Sequence, residues 1–262
     1  MVTLLRGNVI RVPAYAENNF LPLKNAWENC LTAKTRIIII NYPSNPTGVY
    51  PSKEYMEFLQ DFAKNNDLWI VSDEVYENLY YEKHPVCASS INGSKDRTII
   101  INSLSKSYAM TGWRVGFLAA PKQVIDNALK ASQISITCVA PFIQKAASFA
   151  LTNETVQKYA GEMRQGYAAR RQLVMDISAE LNSKNVQAVL PMGAFYYFLD
   201  MRRMDIDSVT IANRILEEAG VGLVAGSAFG VNGEGFVRMT IAASDQDVND
   251  GYRKIIEWAE NN

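Results

Sequence analysis

Apolar and polar positions fall into two textures along this chain. In the first half, short runs rich in β-branched residues alternate with amphipathic stretches. Asn8–Val12, Arg36–Asn41, Leu68–Val71, Thr98–Ile101 and Val115–Ala119 each read as a strand. Most are apolar throughout instead of alternating, the pattern of strands covered by helices on both faces. Between the second and third, residues 51–66 place Tyr55, Phe58, Leu59, Phe62 and Ala63 on one helical face, with Pro51 suited to the first turn. Strands alternating with helices predict an α/β unit with a mostly parallel sheet.

The texture changes near residue 150. Residues 153–184 form a long, polar-rich helical stretch carrying Arg164, Arg170 and Arg171 and no proline. Strands follow at 186–190, 194–199 and 236–241, with a helix over 208–219 that Gly220 ends. Ser244-Asp245-Gln246-Asp247 reads as a capping box, opening a last helix that buries Val248, Tyr252, Ile255, Ile256 and Ala259. The division expected is a large domain over residues 1–152 and a smaller C-terminal α+β domain over 153–262, joined through the long helix. The chain enters its first predicted strand with no capped element before it, so Met1 reads as an interior point of a larger fold.

Composition narrows the class of protein. The 262 residues are 48% hydrophobic and 20% charged, which suits a globular protein with a sizeable core. With 26 basic and 27 acidic side chains the formal charge is −1, so there is no footprint for nucleic acid and no polybasic membrane signal. No apolar run approaches the length of a membrane span, and residues 1–8 develop no apolar core of a signal peptide. Cys30, Cys87 and Cys138 lie far apart and form no CxxC, so no disulfide framework or zinc site is expected. His84 is the single histidine, a poor basis for metal or triad chemistry. A cytoplasmic location follows from these readings. Trp113 and Phe117 are assigned to the core. Tyr80 and Tyr81 fit burial in the monomer or a dimer interface equally well.

Candidate chemistry gathers at strand ends. Ser103-Leu104-Ser105-Lys106 follows the apolar run Thr98–Ile101 and leads to Gly112-Trp113-Arg114. Ser103, Ser105 and Arg114 can converge on a phosphate, with hydroxyls donating and arginine gripping in a planar fork. A lysine beside a phosphate points to a phosphorylated aldehyde held as a Schiff base. A penicillin-recognising SxxK reading fails, because no SDN-like or KTG-like partner accompanies it. The turn Asn41-Tyr42-Pro43-Ser44-Asn45-Pro46-Thr47-Gly48 closes a strand of four isoleucines, and ligands bind at that edge of an open α/β sheet. Asp73 leaves its apolar strand and wants a cationic partner or a helix to cap. Arg238, in the middle of Phe236–Ile241, is costly to bury unless it meets an anion, a ligand or an acidic side chain.

These motifs, in this order and with Gly193-Ala194-Phe195-Tyr196 added, resemble the class I/II aminotransferases, the fold-type I enzymes that use pyridoxal 5′-phosphate (PLP). The resemblance runs over essentially the whole chain and is nearest to aspartate aminotransferases. It implies that Lys106 carries PLP, that Asp73 pairs with the protonated pyridine nitrogen, and that Asn45 and Tyr76 hydrogen-bond the ring's phenolic oxygen. Ser103 and Arg114, with Ser105 as a further candidate, hold the phosphate. Arg238, aided by Asn45, grips the substrate carboxylate. The expected reaction transfers an amino group between an amino acid, aspartate-like or broad, and a 2-oxo acid, in a homodimer and with no metal. The same motifs also fit a C–S β-lyase on this scaffold, or a non-enzymatic fragment or PLP-binding module.

The resemblance also implies a difference in length. Members carry a substantial segment ahead of the position matching Val2, so roughly the first third of the family fold has no counterpart here. That segment normally holds a second part of the phosphate cradle, an aromatic ring stacked on PLP, further strands of the large sheet and half of the small domain. Without it, sheet edges and apolar faces are expected to lie open unless a partner covers them.

Overall fold

A computed structural model describes residues 2–262. Its elements follow the order α1 (Lys24–Cys30), β1 (Ile37–Asn41), α2 (Lys53–Asn65), β2 (Trp69–Asp73), β3 (Thr98–Ser103), α3 (Leu104–Ser107), β4 (Gly116–Ala119), α4 (Lys122–Ser135), α5 (Pro141–Thr152) and α6 (Glu154–Leu181). There follow β5 (Gln187–Val189), β6 (Tyr196–Asp200), α7 (Ser208–Arg214), β7 (Val224–Ala225), β8 (Phe236–Thr240) and α8 (Asp245–Glu260). The chain is α/β, as expected.

One sheet has the order β1-β2-β3-β4. β1, β2 and β3 run parallel, and β4 returns antiparallel beside β3. Asn41 lies opposite Asp73, and Asp73 opposite Ile101, so the carboxyl ends of three strands deliver the 41–48, 73–80 and 103–107 segments to one edge. The core beneath combines Ile38 and Ile40 of β1, Ile70 of β2, Ile100 of β3, Met56, Leu59 and Phe62 of α2, and Trp27 of α1.

The second sheet, β5-β6-β8-β7, is antiparallel. Its inner face carries Tyr197, Leu199, Val237 and Met239, packed on Val174 and Ile177 of α6 and on Tyr252, Ile255 and Ile256 of α8. Because side chains alternate along a strand, Tyr196, Phe198, Phe236 and Arg238 share the opposite face. There Phe198 stacks on Phe236 with ring centroids 4.8 Å apart, and Phe20 meets both edge-on.

Caps set the helix boundaries. Ser52 Oγ accepts from the Tyr55 amide and starts α2 at Lys53, which puts Pro51 ahead of the cap instead of in the first turn. Asn153 caps α6 through the amides of Thr155 and Val156, and Asn182 ends it with φ of 43°. Ser244 caps α8, accepting from the Asp247 amide and donating to the Asp247 carboxylate. The 208–219 helix is α-helical to Arg214 and finishes as a π turn over Ile215–Ala219.

Several expectations are corrected. Residues 8–12 form no strand; their β-branched residues have no neighbouring strand to pair with, and a strand without a partner has no ladder. Trp113 and Phe117 are 44% and 47% exposed instead of buried; Trp113 lies in a short turn ahead of β4 with no buried residue, and Phe117 lies on β4, the edge strand of its sheet. α4 and α5 occupy a region where the apolar pattern had indicated no elements. Among the described residues, no helix is long and apolar enough to cross a membrane.

Candidate active site

A backbone seam joins the two sheets and sets the distances across the site. The amides of Met192 and Gly193 donate to Gly48 O at 3.0 and 2.8 Å. The Ala194 amide donates to Leu79 O at 2.8 Å, and the Tyr81 amide to Met192 O at 3.0 Å. The Tyr81 hydroxyl adds a bond to Ala194 O. Glycine is required where this seam is tightest. Gly48 has φ of +70°, and a Cβ there would lie 2.4 Å from Pro191 Cβ. The contact brings Gly193-Ala194-Phe195-Tyr196 against the 41–48 and 75–80 loops. Tyr80 and Tyr81 are half-buried in this seam and its surroundings, within the monomer.

Lys106 lies in α3, immediately after β3. Its Nζ is 5.9 Å from the centroid of the Tyr76 ring and 5.8 Å from that of Phe195. Tyr76, Phe195, Tyr196 and Tyr167 form a continuous aromatic wall, with neighbouring centroids between 4.6 and 5.8 Å apart. The Tyr76 and Tyr196 hydroxyls pair at 3.1 Å. Burial above all, and then the Tyr196 hydroxyl, push the Tyr76 hydroxyl well above the ordinary phenol range.

Asp73 ends β2 and caps no helix. Its Oδ1 accepts from the Val75 amide at 3.3 Å. Burial raises its carboxyl above the usual range, partly offset by that amide, so it is a half-buried acid without a cation among the described residues. Asn45 and Arg238 meet across the two sheets, Arg238 donating to Asn45 Oδ1 at 2.8 Å. The guanidinium lies 4.5 Å over the Tyr196 ring and 5.2 Å from the Phe229 ring. Its Nε is buried with no partner among the described residues, a donor left for an acceptor that these residues do not provide. Among the described residues no acidic side chain pairs with Arg238, whose hydrogen-bond partner is Asn45, which removes the structural ion pair as its explanation.

Ser103 caps α3, its Oγ accepting from the Ser105 amide at 3.1 Å, and its own O–H stays free to donate. Arg114 is exposed, in a left-handed conformation with φ of 53°, and donates to Thr111 O at 2.9 Å. It adjoins Val115, whose carbonyl accepts from the Leu104 amide, so the arginine turn lies beside the start of α3. His84 packs its ring on Tyr80 at 4.9 Å. An open groove of about 620 Å³ between α1 and α2, and another of about 340 Å³ near Arg202, contain none of these residues.

Of the aromatic wall, sequence assigned Tyr76 to the site and placed Phe195 and Tyr196 only in the Gly193–Tyr196 turn; Tyr167 and the neighbouring Phe229 carried no assignment. Only the alternation of β6 and β8, with Tyr196 on the face that carries Arg238, could have pointed to them.

Comparison with known proteins identifies the family. The sequence matches the family described as Aminotransferase class I and II over residues 1–255. It is 41% identical over 244 residues to aromatic-amino-acid aminotransferase 2 of Thermococcus litoralis, and 42% identical over 245 residues to an aspartate aminotransferase of Pyrococcus abyssi. Each alignment covers 93% of this chain and 62% of the relative, so the chain spans about 62% of the length of those proteins. The fold superposes on an aromatic aminotransferase from Pyrococcus horikoshii with a TM-score of 0.93 at 38% identity, covering 97% of this chain and 68% of that one. It superposes on a Thermus thermophilus aspartate aminotransferase solved with maleate with a TM-score of 0.91 at 33% identity, covering 98% and 65%.

Proposed function

This chain belongs to the class I and II aminotransferases, and from that premise we propose that it moves an amino group between an aspartate-like or aromatic amino acid and a 2-oxo acid, using PLP. Members of the family use PLP, and the residues present fit it. Asp73 is a half-buried carboxylate lacking a cation, and a protonated ring nitrogen is one. Asn45 has Oδ1 occupied by Arg238, leaving Nδ2 to donate toward the phenolic oxygen beside Tyr76. Ser103, Ser105 and Arg114 supply donors for the phosphate, and Lys106 Nζ is the amine that would carry the cofactor covalently.

Bound there, PLP supplies a ring that withdraws electrons from the substrate's α-carbon. The chain's own residues do the rest. Arg238 holds the α-carboxylate in a planar fork, offering the buried Nε that has no partner. Lys106 takes the α-proton and returns it at a second carbon, acting as base and then acid. The aromatic wall limits water around that transfer. A large domain over 1–152, a small domain over 153–262, a homodimer and a cytoplasmic location complete the proposal.

The observation that carries this reading is the pair of opposed ends. Lys106 faces the Tyr76 and Phe195 rings, while Arg238 presents an unpartnered donor across the seam. The test is absorbance. Purified chain mixed with PLP should develop a visible band, and Lys106→Ala should lose it while retaining wild-type circular dichroism. A wild-type spectrum equal to that of free PLP refutes the proposal. Transfer to a 2-oxo acid acceptor, against release of ammonia without one, separates transamination from β-elimination.

A further inference from the structure

Strand β6 sends Tyr197 and Leu199 into the core and leaves Tyr196 on the face toward the site. Tyr196 is 7% exposed. Its hydroxyl pairs with that of Tyr76 at 3.1 Å, and neither hydroxyl has a second hydrogen-bond partner among the described residues. A phenol has one proton to give and two lone pairs to accept with. In such a pair one member donates, and the other keeps its proton for a third partner.

Either hydroxyl can donate when the pair is alone, so the partner beyond the pair decides the direction. The Arg238 guanidinium lies 4.5 Å over the Tyr196 ring and accepts no proton. Tyr76 is held protonated, by burial first and then by the Tyr196 hydroxyl. An anionic oxygen beside Tyr76 takes its single proton, and Tyr196 then donates to Tyr76. The charged and titratable groups facing the pair are Lys106, 5.9 Å from the Tyr76 ring, Asp73, Arg238 and Tyr167.

Resting on the cofactor reading above, we propose that Tyr196 is a positioning residue whose hydroxyl, donating to Tyr76, aims the Tyr76 proton at the phenolic oxygen of bound PLP. It also ties the carboxylate clamp to the cofactor end, because the same ring carries Arg238. The Gly193–Tyr196 turn thus contributes chemistry as well as the seam.

Tyr196→Phe tests this, since it removes one oxygen and keeps the ring under Arg238. A weaker bond from Tyr76 leaves more negative charge on the phenolic oxygen, which holds the proton on the Lys106 nitrogen more tightly. The pH midpoint of the bound cofactor's visible absorbance should then rise by roughly half to one unit, the size of one neutral hydrogen bond. Tyr81→Phe is the control. It removes a hydroxyl that bonds Ala194 O in the same turn and does not reach Tyr76, so its midpoint should match wild type. Circular dichroism verifies that both variants fold. A cofactor band with an unmoved midpoint in Tyr196→Phe overturns the positioning role alone. Equal shifts in both variants also overturn it, by showing a merely structural effect. A wild-type chain with no band overturns the cofactor reading, and this role with it.

Discussion

Gly193→Ala probes the seam on which the site depends. Gly193 lies outside the left-handed region, so its substitution carries no backbone penalty of that kind. The cost comes from space. A Cβ there would lie 2.6 Å from Leu79 O, 2.9 Å from Pro43 Cγ and 3.0 Å from Pro43 Cβ. Leu79 O cannot retreat freely, because it accepts from the Ala194 amide at 2.8 Å. Overpacking of this kind costs about 1–3 kcal/mol, and the strained or lost hydrogen bond adds about 1 kcal/mol. The expected destabilisation is therefore about 2–4 kcal/mol, read as a lower urea midpoint with unchanged slope. Gly161→Ala is the matched contrast. It lies within α6 with nothing within 4 Å of the added Cβ, and should stabilise by about 0.5–1 kcal/mol through helix propensity. The same chemical change should thus have opposite signs at two positions. A loss below about 0.5 kcal/mol for Gly193→Ala would show that the seam yields easily. The 2.8 Å contact between Arg238 and Asn45 would then need another origin.

Two further predictions concern charge and register. Burial raises the Asp73 carboxyl in the folded chain, so the folded state holds its proton more tightly than the unfolded one. The charged form therefore costs stability at pH 7, and wild-type stability recovers as pH falls through the raised folded value toward the unfolded value near 3.9. Asp73→Asn should stabilise the cofactor-free chain at pH 7, with a gain that fades on acidification, while weakening PLP uptake; paired urea titrations at pH 7 and pH 4 read the first effect and absorbance the second, and a gain independent of pH would exclude the carboxyl as its source. Ile38→Ala, at a position 5% exposed, should cost about 2–5 kcal/mol, whereas Ile39→Ala, 58% exposed, should stay within about 0.5 kcal/mol; similar losses at both positions in urea melts would contradict the register of β1.

The isoleucine pair also shows what kind of information the sequence carries. Asn45, Asp73 and Lys106 were legible because each lies at or just after the carboxyl end of an apolar strand, where a polar group has no structural reason to be buried. Arg238 was legible for the same reason inside β8. Tyr196 and Phe195 were not, because an aromatic residue in an apolar strand is indistinguishable from core until the register shows which face it occupies. The register of β6 against β8, with Phe198 opposite Arg238, depends on pairing between segments about 40 residues apart in sequence, which local patterns do not encode. Ile37–Ile40 presents the converse case. Four successive isoleucines lack alternation and indicate a strand covered on both faces, yet Ile37 and Ile39 are 52% and 58% exposed. Ile101, at 37%, extends the uncovered face onto β3, whereas Phe117, opposite Asn102, lies on the other face. Nothing in the propensity of a solvent-facing strand calls for isoleucine there, since a half-exposed strand is served as well by threonine or a charged residue. The residue choices on this face therefore suit an environment drier than the one the described residues provide, and the apolar pattern, read as a strand covered on both faces, misreads this exposed surface.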